Sequence, residues 1–281
     1  MHDRTRVVCS AVLWLAACCS HVFAALAPEY TNACQWASNP SNLPIAQSLA
    51  WIWTTNHEPN TALVWTNTRV KVVTWTRFSN SFAPYAGTGQ LVSNYWDMMW
   101  VTVAPELYDF FADTNRYPVP IDIVDAKLRI EQLLGVYNDS LNVAFAEVWA
   151  RPEDLFRPSR AAEITTASTG VDWPAPLQTP PGFASADAYV AWFTNRAATV
   201  YTDPYPFPWT QLGYTYDWCP ASTTVIGISE YVLKKNAEYY VATTCDTLDY
   251  IPTSPEPGML AGIALVVWRC ARRGGAMREN A

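Results

Sequence analysis

The chain has 281 residues, with 25 acidic and 18 basic side chains and a net charge of −7 at neutral pH. Half of the residues are hydrophobic and 14% are aromatic, so a folded core is expected and extensive disorder is excluded. Residues 25–254 hold 22 acidic and 12 basic side chains, which argues against nucleic acid or anionic lipid as a partner.

The first 24 residues have the three-part pattern of a secretory signal peptide. Arg4 and Arg6 precede an uncharged run over residues 7–20, and the small residues Val22 and Ala24 occupy the two positions that a signal peptidase recognises. A buried N-terminal helix is the competing interpretation. We expect residues 1–24 to be a cleaved signal peptide and the protein to be exported.

Between the two ends, residues 25–251 are predicted to form a single mixed α+β domain dominated by antiparallel strands, with two or three short helices. β-Branched and aromatic residues predict strands over 69–78, 95–103, 142–150, 211–218, 224–233 and 239–244. Helices are predicted to begin at 104–106, to span 122–134 up to Gly135, and to begin after Ser185. Residues 28–60 and 159–182 are rich in turn formers and are expected to be irregular.

The segment 208–218 is the densest aromatic stretch of the chain. It fits the floor of a ligand pocket or a carbohydrate groove, and it fits core packing, which we favour because large aromatic side chains mainly fill cores. Asp217 lies between Tyr216 and Trp218 and is the residue to test there. This segment and residues 151–158 resemble patterns in exported bacterial proteins to which we attach no activity.

Several segments, taken in order, resemble the core of secreted mono-ADP-ribosyltransferases of the cholera and pertussis toxin type. Residues 73–77 end a strand in Arg77, residues 100–103 run directly into a helix, and residues 229–233 resemble the strand of the catalytic glutamate. Residues 142–156 and 238–241 are similar to the middle strand and to the neighbour of the glutamate strand. The resemblance implies that NAD is a substrate and that the site holds Arg77, Thr102 and Glu230.

In that chemistry, breaking the nicotinamide–ribose bond builds positive charge on the sugar. The resemblance assigns stabilisation of this charge to Glu230, with Thr102 orienting the carboxylate and Arg77 binding the pyrophosphate. Tyr95 or Trp96 is a candidate to stack on nicotinamide.

The sequence departs from the family pattern at three places. Ile228 stands where a second Glu or Gln is common, only the first of three hydroxyls is kept at Thr102, and Arg69 competes with Arg77. Structural roles also fit these residues: Glu230 as a solvated or cross-strand-paired acid, and Arg77 as a surface ion-pair partner.

Three cysteines lie outside the terminal segments: Cys34, Cys219 and Cys245. The predicted strands 224–233 and 239–244 suggest a hairpin flanked by Cys219 and Cys245, and a disulfide there would stabilise the fold by about 3–4 kcal/mol in the chain-entropy model. Export permits such a bond, although the sequence leaves open which cysteine stays unpaired.

The same region contains one histidine, His57, which we interpret as a loop residue. Neither a zinc-type cysteine spacing nor a base for a nucleophilic hydrolase is present, so no metal site and no resident cofactor are expected.

The C-terminal region, residues 252–281, combines three features in a fixed order. Pro-Glu-Pro at 255–257 precedes an apolar segment from 259 to 268 and arginines between 269 and 273. This order resembles the sorting signal of bacterial exosortase substrates, which implies a sorting machinery of that type as partner and transient anchoring in the membrane. The apolar segment is shorter than the roughly 20 residues that span a bilayer core, which suits a segment that is later removed.

The sequence therefore supports two functions. The first is a non-catalytic protein of the cell envelope or extracellular matrix that binds a glycan or an envelope protein. The second is an NAD-dependent ADP-ribosyltransferase or NAD glycohydrolase. Because NAD is scarce outside cells and the sorting tail indicates retention at the envelope, the first is favoured.

Overall fold

The structure is a computed structural model that describes residues 26–53, 60–95, 97–113, 123–137, 140–202 and 206–251. The predicted signal peptide, the predicted tail, His57 and Trp96 lie outside these ranges. Within them, no helix is long and apolar enough to cross a membrane.

The described chain is an α+β domain in which antiparallel strands predominate, as the sequence predicts. The helices are α1 (Pro28–Ala37), α2 (Ala104–Ala112), α3 (Ile123–Leu133), α4 (Ala186–Thr199) and α5 (Thr247–Tyr250). The strands are β1 (Trp65–Thr66), β2 (Arg69–Thr76), β3 (Leu91–Ser93), β4 (Met99–Val103), β5 (Ala144–Ala150), β6 (Leu155–Phe156), β7 (Tyr214–Tyr216), β8 (Ile226–Ser229), β9 (Tyr231–Leu233) and β10 (Glu238–Asp246).

The main sheet has the strand order β3-β10-β5-β2-β4-β9-β6, with β1 added to β2, and β7 pairs with β8 in a separate small sheet. All recorded strand pairs are antiparallel. The long strands β2, β5 and β10 are rich in β-branched and aromatic residues, which fit a pleated surface with one or both faces covered.

The prediction that strands 224–233 and 239–244 form a hairpin is wrong. β9 pairs with β4 and β6, whereas β10 pairs with β3 and β5, so three strands separate them. Across a flat sheet that gap would be roughly 19 Å, more than the connection 234–237 can cross. The sheet is therefore strongly curled, and its concave face encloses one apolar core to which β2, β4, β5, β9 and β10 all contribute.

The predicted helix starts and stops are confirmed where the chain is described. Pro105 lies in the first turn of α2, Gly135 adopts a positive φ of 64° just after α3, and the Ser185 hydroxyl accepts a hydrogen bond from the Ala188 amide at the start of α4. α1 was not predicted. Its buried residues Tyr30, Ala33, Cys34 and Ala37 follow helical spacing, but they lie among turn formers.

Two groups of helices cover the convex face of the sheet. α2, α3 and α5 pack over one part, where Val73 and Phe145 point outward from β2 and β5. α4 and the segment 206–212 cover the part formed by β4, β9 and β6, in an aromatic layer that includes Phe156, Tyr189 and Trp209. This second layer contains the polar groups described next.

Candidate functional site

Thr102 and Glu230 lie next to each other. β4 pairs with β9 in a register that sets Val101 opposite Tyr231, and Thr102 and Glu230 are the next residues along the two chains. Side chains alternate along a strand, so Thr102 shares the convex face with Trp100, beneath α4. Glu230 lies between β8 and β9, where its amide donates to the Gly213 carbonyl at 2.9 Å.

Arg196 is the positively charged residue that attracts the Glu230 carboxylate. It extends from α4, and its guanidinium lies 4.4 Å from the ring centre of Trp100 and 5.6 Å from that of Trp209. Burial lowers the pKa of Arg196, and the charges of Glu230, Tyr201 and Asp97 act in the opposite direction. A guanidinium between two indoles is held in place by cation–π contacts, each worth about 0.5–2 kcal/mol.

Burial raises the pKa of the Glu230 carboxyl to about 8, and the attraction of Arg196 offsets this only in part. Glu230 as a residue is half-buried, but its Oε2 is shielded from solvent. Most molecules therefore carry a protonated Glu230 at neutral pH.

Glu230 and four other side chains each present a buried polar atom that has no hydrogen-bond partner among the described residues. These atoms, called the unpartnered set below, are Thr102 Oγ1, Arg196 Nε, Trp209 Nε1, Gln211 Oε1 and Glu230 Oε2. Buried polar groups are nearly always hydrogen-bonded, and leaving one unpaired costs about 1–3 kcal/mol. The five residues lie on β4, just before β9, on α4 and on the segment 206–212, and the five atoms are shielded from solvent, so water or a ligand reaches them only when this layer opens.

Two hydrogen bonds link Tyr201 to the buried residues Trp209 and Gln211. The Tyr201 hydroxyl donates to the Trp209 carbonyl at 2.5 Å, and the Gln211 amide nitrogen donates to the Tyr201 hydroxyl at 2.9 Å. Gln211 and Trp209 are buried, whereas Tyr201 is half-buried. Since Glu230 and Arg196 are half-buried as well, the site reaches the surface on that side.

Arg77 is not part of this site. It follows β2, is exposed, and its guanidinium lies over the Phe78 ring at 4.8 Å. Thr102 pairs with Val73, which lies roughly 13 Å from Arg77 along the strand. The competing residue Arg69 donates to the carbonyls of Trp149 and Glu238 at the other end of β2.

Other predicted residues have structural positions. Asp217 is buried and forms a two-bond ion pair with Arg129, with distances of 3.0 and 2.7 Å. Tyr95 is exposed on the loop after β3. Cys219 and Cys245 are not joined by a disulfide, and the hairpin that suggested this bond is absent from the described chain because the strands pair elsewhere.

A separate pocket of about 440 Å³ lies between α2 and the segments 48–51 and 60–63. Its wall includes the carboxylates of Glu106, Asp109 and Asp113, and Glu106 Oε1 accepts hydrogen bonds from the Ser229 amide and hydroxyl. Among the described residues, no group of three or more His, Cys, Asp or Glu side chains is arranged to hold a metal ion.

The sequence contains one signal that points to Arg196, which was not predicted as a site residue. Tyr189, Phe193 and Val200 are buried along one face of α4, and Arg196 follows Phe193 by three residues. A charged residue on the buried stripe of a helix is unusual, which marks it as a functional candidate. Gln211 has no comparable signal, since its burial depends on the fold of segment 206–212.

No protein family, no curated protein and no solved structure matches this chain. The resemblance to mono-ADP-ribosyltransferases and to exosortase substrates stays a prediction. The functional argument therefore rests on the geometry around Glu230.

Proposed function

We propose that this protein is a non-catalytic binding module and that it binds a small polar ligand, or a polar unit of a larger one, at the Glu230–Arg196 site. The proposal is carried by Glu230 and Arg196, a mutually attracting acid and base that are both half-buried and both belong to the unpartnered set. The half-burial of Glu230, Arg196 and Tyr201 gives a ligand an approach from solvent.

The alternative function, transfer or hydrolysis of ADP-ribose from NAD, is favoured by one observation. Thr102 and Glu230 are adjacent, as that chemistry requires. Two observations favour binding instead. Arg77 is remote, and a carboxyl with a pKa of about 8 is largely neutral at pH 7, whereas stabilising a developing positive charge needs the carboxylate. Nicotinamide release from NAD that disappears in Glu230→Gln would restore the enzymatic hypothesis.

Thr102→Val tests whether the site is built for an external partner. Valine keeps the shape of threonine and removes the unpartnered hydroxyl, so the ligand-free variant should be more stable than the wild type by about 1 kcal/mol. Urea denaturation measures this difference. Small polar compounds of neutral, anionic and cationic type, including NAD, are then screened for those that raise the Tm of the wild type but raise it less in Thr102→Val.

Thr215→Val is the matched control. Thr215 is also buried, but its hydroxyl donates to the Leu133 carbonyl at 2.6 Å and accepts from the Ile228 amide at 3.0 Å. Its loss should destabilise the protein by about 1–3 kcal/mol. If Thr102→Val destabilises the protein as Thr215→Val does, Thr102 has an internal partner and the binding proposal fails.

We also propose that the domain acts outside the cytoplasm, at the cell envelope or in the extracellular matrix. The pattern of residues 1–24 and the order of features in residues 252–281 support this, and a sorting machinery of the exosortase type would then be a partner. The excess of acidic side chains supports a partner other than nucleic acid.

A further inference from the structure

We infer that the domain contacts a lipid surface through one end of its main sheet, where Phe78, Leu141 and Val143 are exposed. These three residues are called the apolar end below. The inference rests on the proposed location at the cell envelope and on the predicted tail, and it adds which face of the domain meets the membrane. It is carried by the exposure of these side chains and by the place where the described chain ends.

The apolar end holds hydrophobic side chains that the fold leaves in solvent. Leu141, Phe78 and Val143 are 63%, 58% and 54% exposed. Of the large hydrophobic side chains in the described ranges, only Trp36 and Tyr95 are also more than half exposed. Single exposed hydrophobic residues are normal, but several at one place mark a contact with a protein or a membrane.

Hydrogen bonds place the three residues at the same end of the main sheet. The Val143 amide donates to the carbonyl of Thr76, the last residue of β2, at 3.1 Å. The Phe78 amide donates to the Thr76 hydroxyl at 2.9 Å, so Phe78 and Val143 both adjoin Thr76. Leu141 precedes Val143 by two residues, which is at most about 7 Å of chain.

The described chain ends near the apolar end. The Thr247 amide donates to the Val143 carbonyl at 3.0 Å, and Ile251, the last described residue, follows within about 14 Å of chain. The predicted apolar segment of the tail begins at residue 259, and the chain from Ile251 to that residue reaches about 28 Å at most. A domain of this size is roughly 45 Å across. A tail anchored in a bilayer therefore holds the apolar end nearer to the lipid than the opposite end of the sheet.

The charges around the apolar end favour lipid without a net charge. Arg77 is exposed beside Phe78, and Asp246 and Asp249 are exposed on either side of Thr247. The two carboxylates and the acidic excess of the domain oppose anionic headgroups. Burial of apolar side chains at the headgroup boundary needs no lipid charge, so the hydrophobic effect supplies the contact.

The test places a photoreactive residue at the apolar end and at a distant, equally exposed position. p-Benzoylphenylalanine, which crosslinks to its neighbours under light, replaces Phe78 in one variant and Leu141 in another. Replacement of Tyr95 is the control, because Tyr95 is 74% exposed and follows β3. β3 pairs with the start of β10, whereas the apolar end adjoins the end of β10, about 27 Å along that strand.

Each variant is purified from a bacterium that removes the signal peptide but lacks exosortase-type sorting, so that the tail is kept. It is reconstituted into phosphatidylcholine vesicles, recovered by flotation and irradiated, and mass spectrometry measures the adducts. Lipid adducts are expected at positions 78 and 141 and are expected to be lost at position 95.

The outcomes separate this inference from the proposed location. Equal lipid adducts at all three positions would show that the domain has no preferred orientation and overturn the inference. Adducts to a second copy of the chain in place of lipid at positions 78 and 141 would overturn it too. A chain that floats with the vesicles but forms no lipid adduct at either position overturns the inference alone, whereas a chain that does not float removes the membrane anchoring as well.

Discussion

At the scale of single residues, Glu230 is distinguished by its protonation. Burial of its carboxyl outweighs the attraction of the Arg196 guanidinium, so the pKa rises from 4.5 to about 8. Proton loss therefore has different effects in the folded and unfolded chain. Below pH 4.5 both forms hold the proton, and between about pH 4.5 and 8 only the folded form keeps it.

Glu230→Gln should reveal this linkage as a loss of pH dependence. In the wild type, the contribution of Glu230 to stability is fully present below pH 4.5 and is lost as the pH rises towards 8, a decline on the order of a few kcal/mol. Glutamine does not titrate, so urea denaturation of Glu230→Gln should show a shallower fall between pH 5 and 8. Glu153→Gln, at an exposed acid, serves as control. Equal slopes for wild type and Glu230→Gln would contradict the raised pKa.

At the scale of elements, a buried ion pair joins α3 to the segment after β7. Arg129 on α3 and Asp217 are both buried and form two parallel hydrogen bonds, and Asp217 Oδ1 also accepts from the Cys219 amide at 3.1 Å. The Arg129 guanidinium lies over the Phe110 ring at 4.8 Å, which extends the contact to α2. Asp217, a ligand-site candidate from the sequence, thus has a structural role.

Asp217→Asn should be strongly destabilising. The substitution removes the negative charge and leaves Arg129 buried without compensation, a change that costs about 3–5 kcal/mol. Glu153→Gln breaks an exposed ion pair in which Glu153 Oε1 and Arg151 Nε are 3.7 Å apart. This substitution should lower the free energy of unfolding by less than about 1 kcal/mol. Thermal denaturation of the two variants measures the contrast. Similar Tm values would show that the Arg129–Asp217 pair contributes little.

At the scale of the whole molecule, the curled sheet explains how one domain supports a site on its outer face. The apolar core, which includes Val72, Val148 and Tyr231, lies on the concave face. The polar groups under α4 lie on the opposite, convex face and do not interrupt this core. Arg157, fully buried, donates to the Ala50 carbonyl at 2.9 Å and ties the segment before β1 to this core. Gly213, with a φ of 75°, lies against that side chain, and a Cβ there would come within 2.3 Å of it.

The proposed export of the whole chain predicts a defined mature product. Expressed in a bacterium that has exosortase-type sorting, the protein should be found outside the cytoplasm, with Ala25 as its first residue and shortened within the C-terminal tail 252–281. Intact mass measurement after cell fractionation tests this. Replacing Pro255 and Pro257 by alanine is the informative variant, since it should leave the N-terminal cleavage unchanged and block processing of the tail. A cytoplasmic product that keeps both ends would contradict the proposal.

Elements with local signals could be predicted directly from the sequence. The β-branched run of β2, the proline at the start of α2, Gly135 after α3 and the Ser185 cap each act on their own few neighbours, so they could be identified without the fold. The α+β class follows from the order of these elements. Glu230 and Thr102 were predicted as site residues through a resemblance, and the strand pairing places them next to each other.

Strand pairing and the set of side chains near Glu230 depend on long-range packing and could not be predicted from local patterns. The turn after β9 looks locally like a hairpin, but β9 and β10 pair with different neighbours. The short connection can join them because the curl of the sheet brings these two strands close together. Arg77 was a candidate because it ends a strand, yet the guanidinium that acts electrostatically on Glu230 is that of Arg196, since α4 packs on the convex face there. Contacts between residues far apart in sequence depend on packing of the whole chain, and short patterns do not encode that packing.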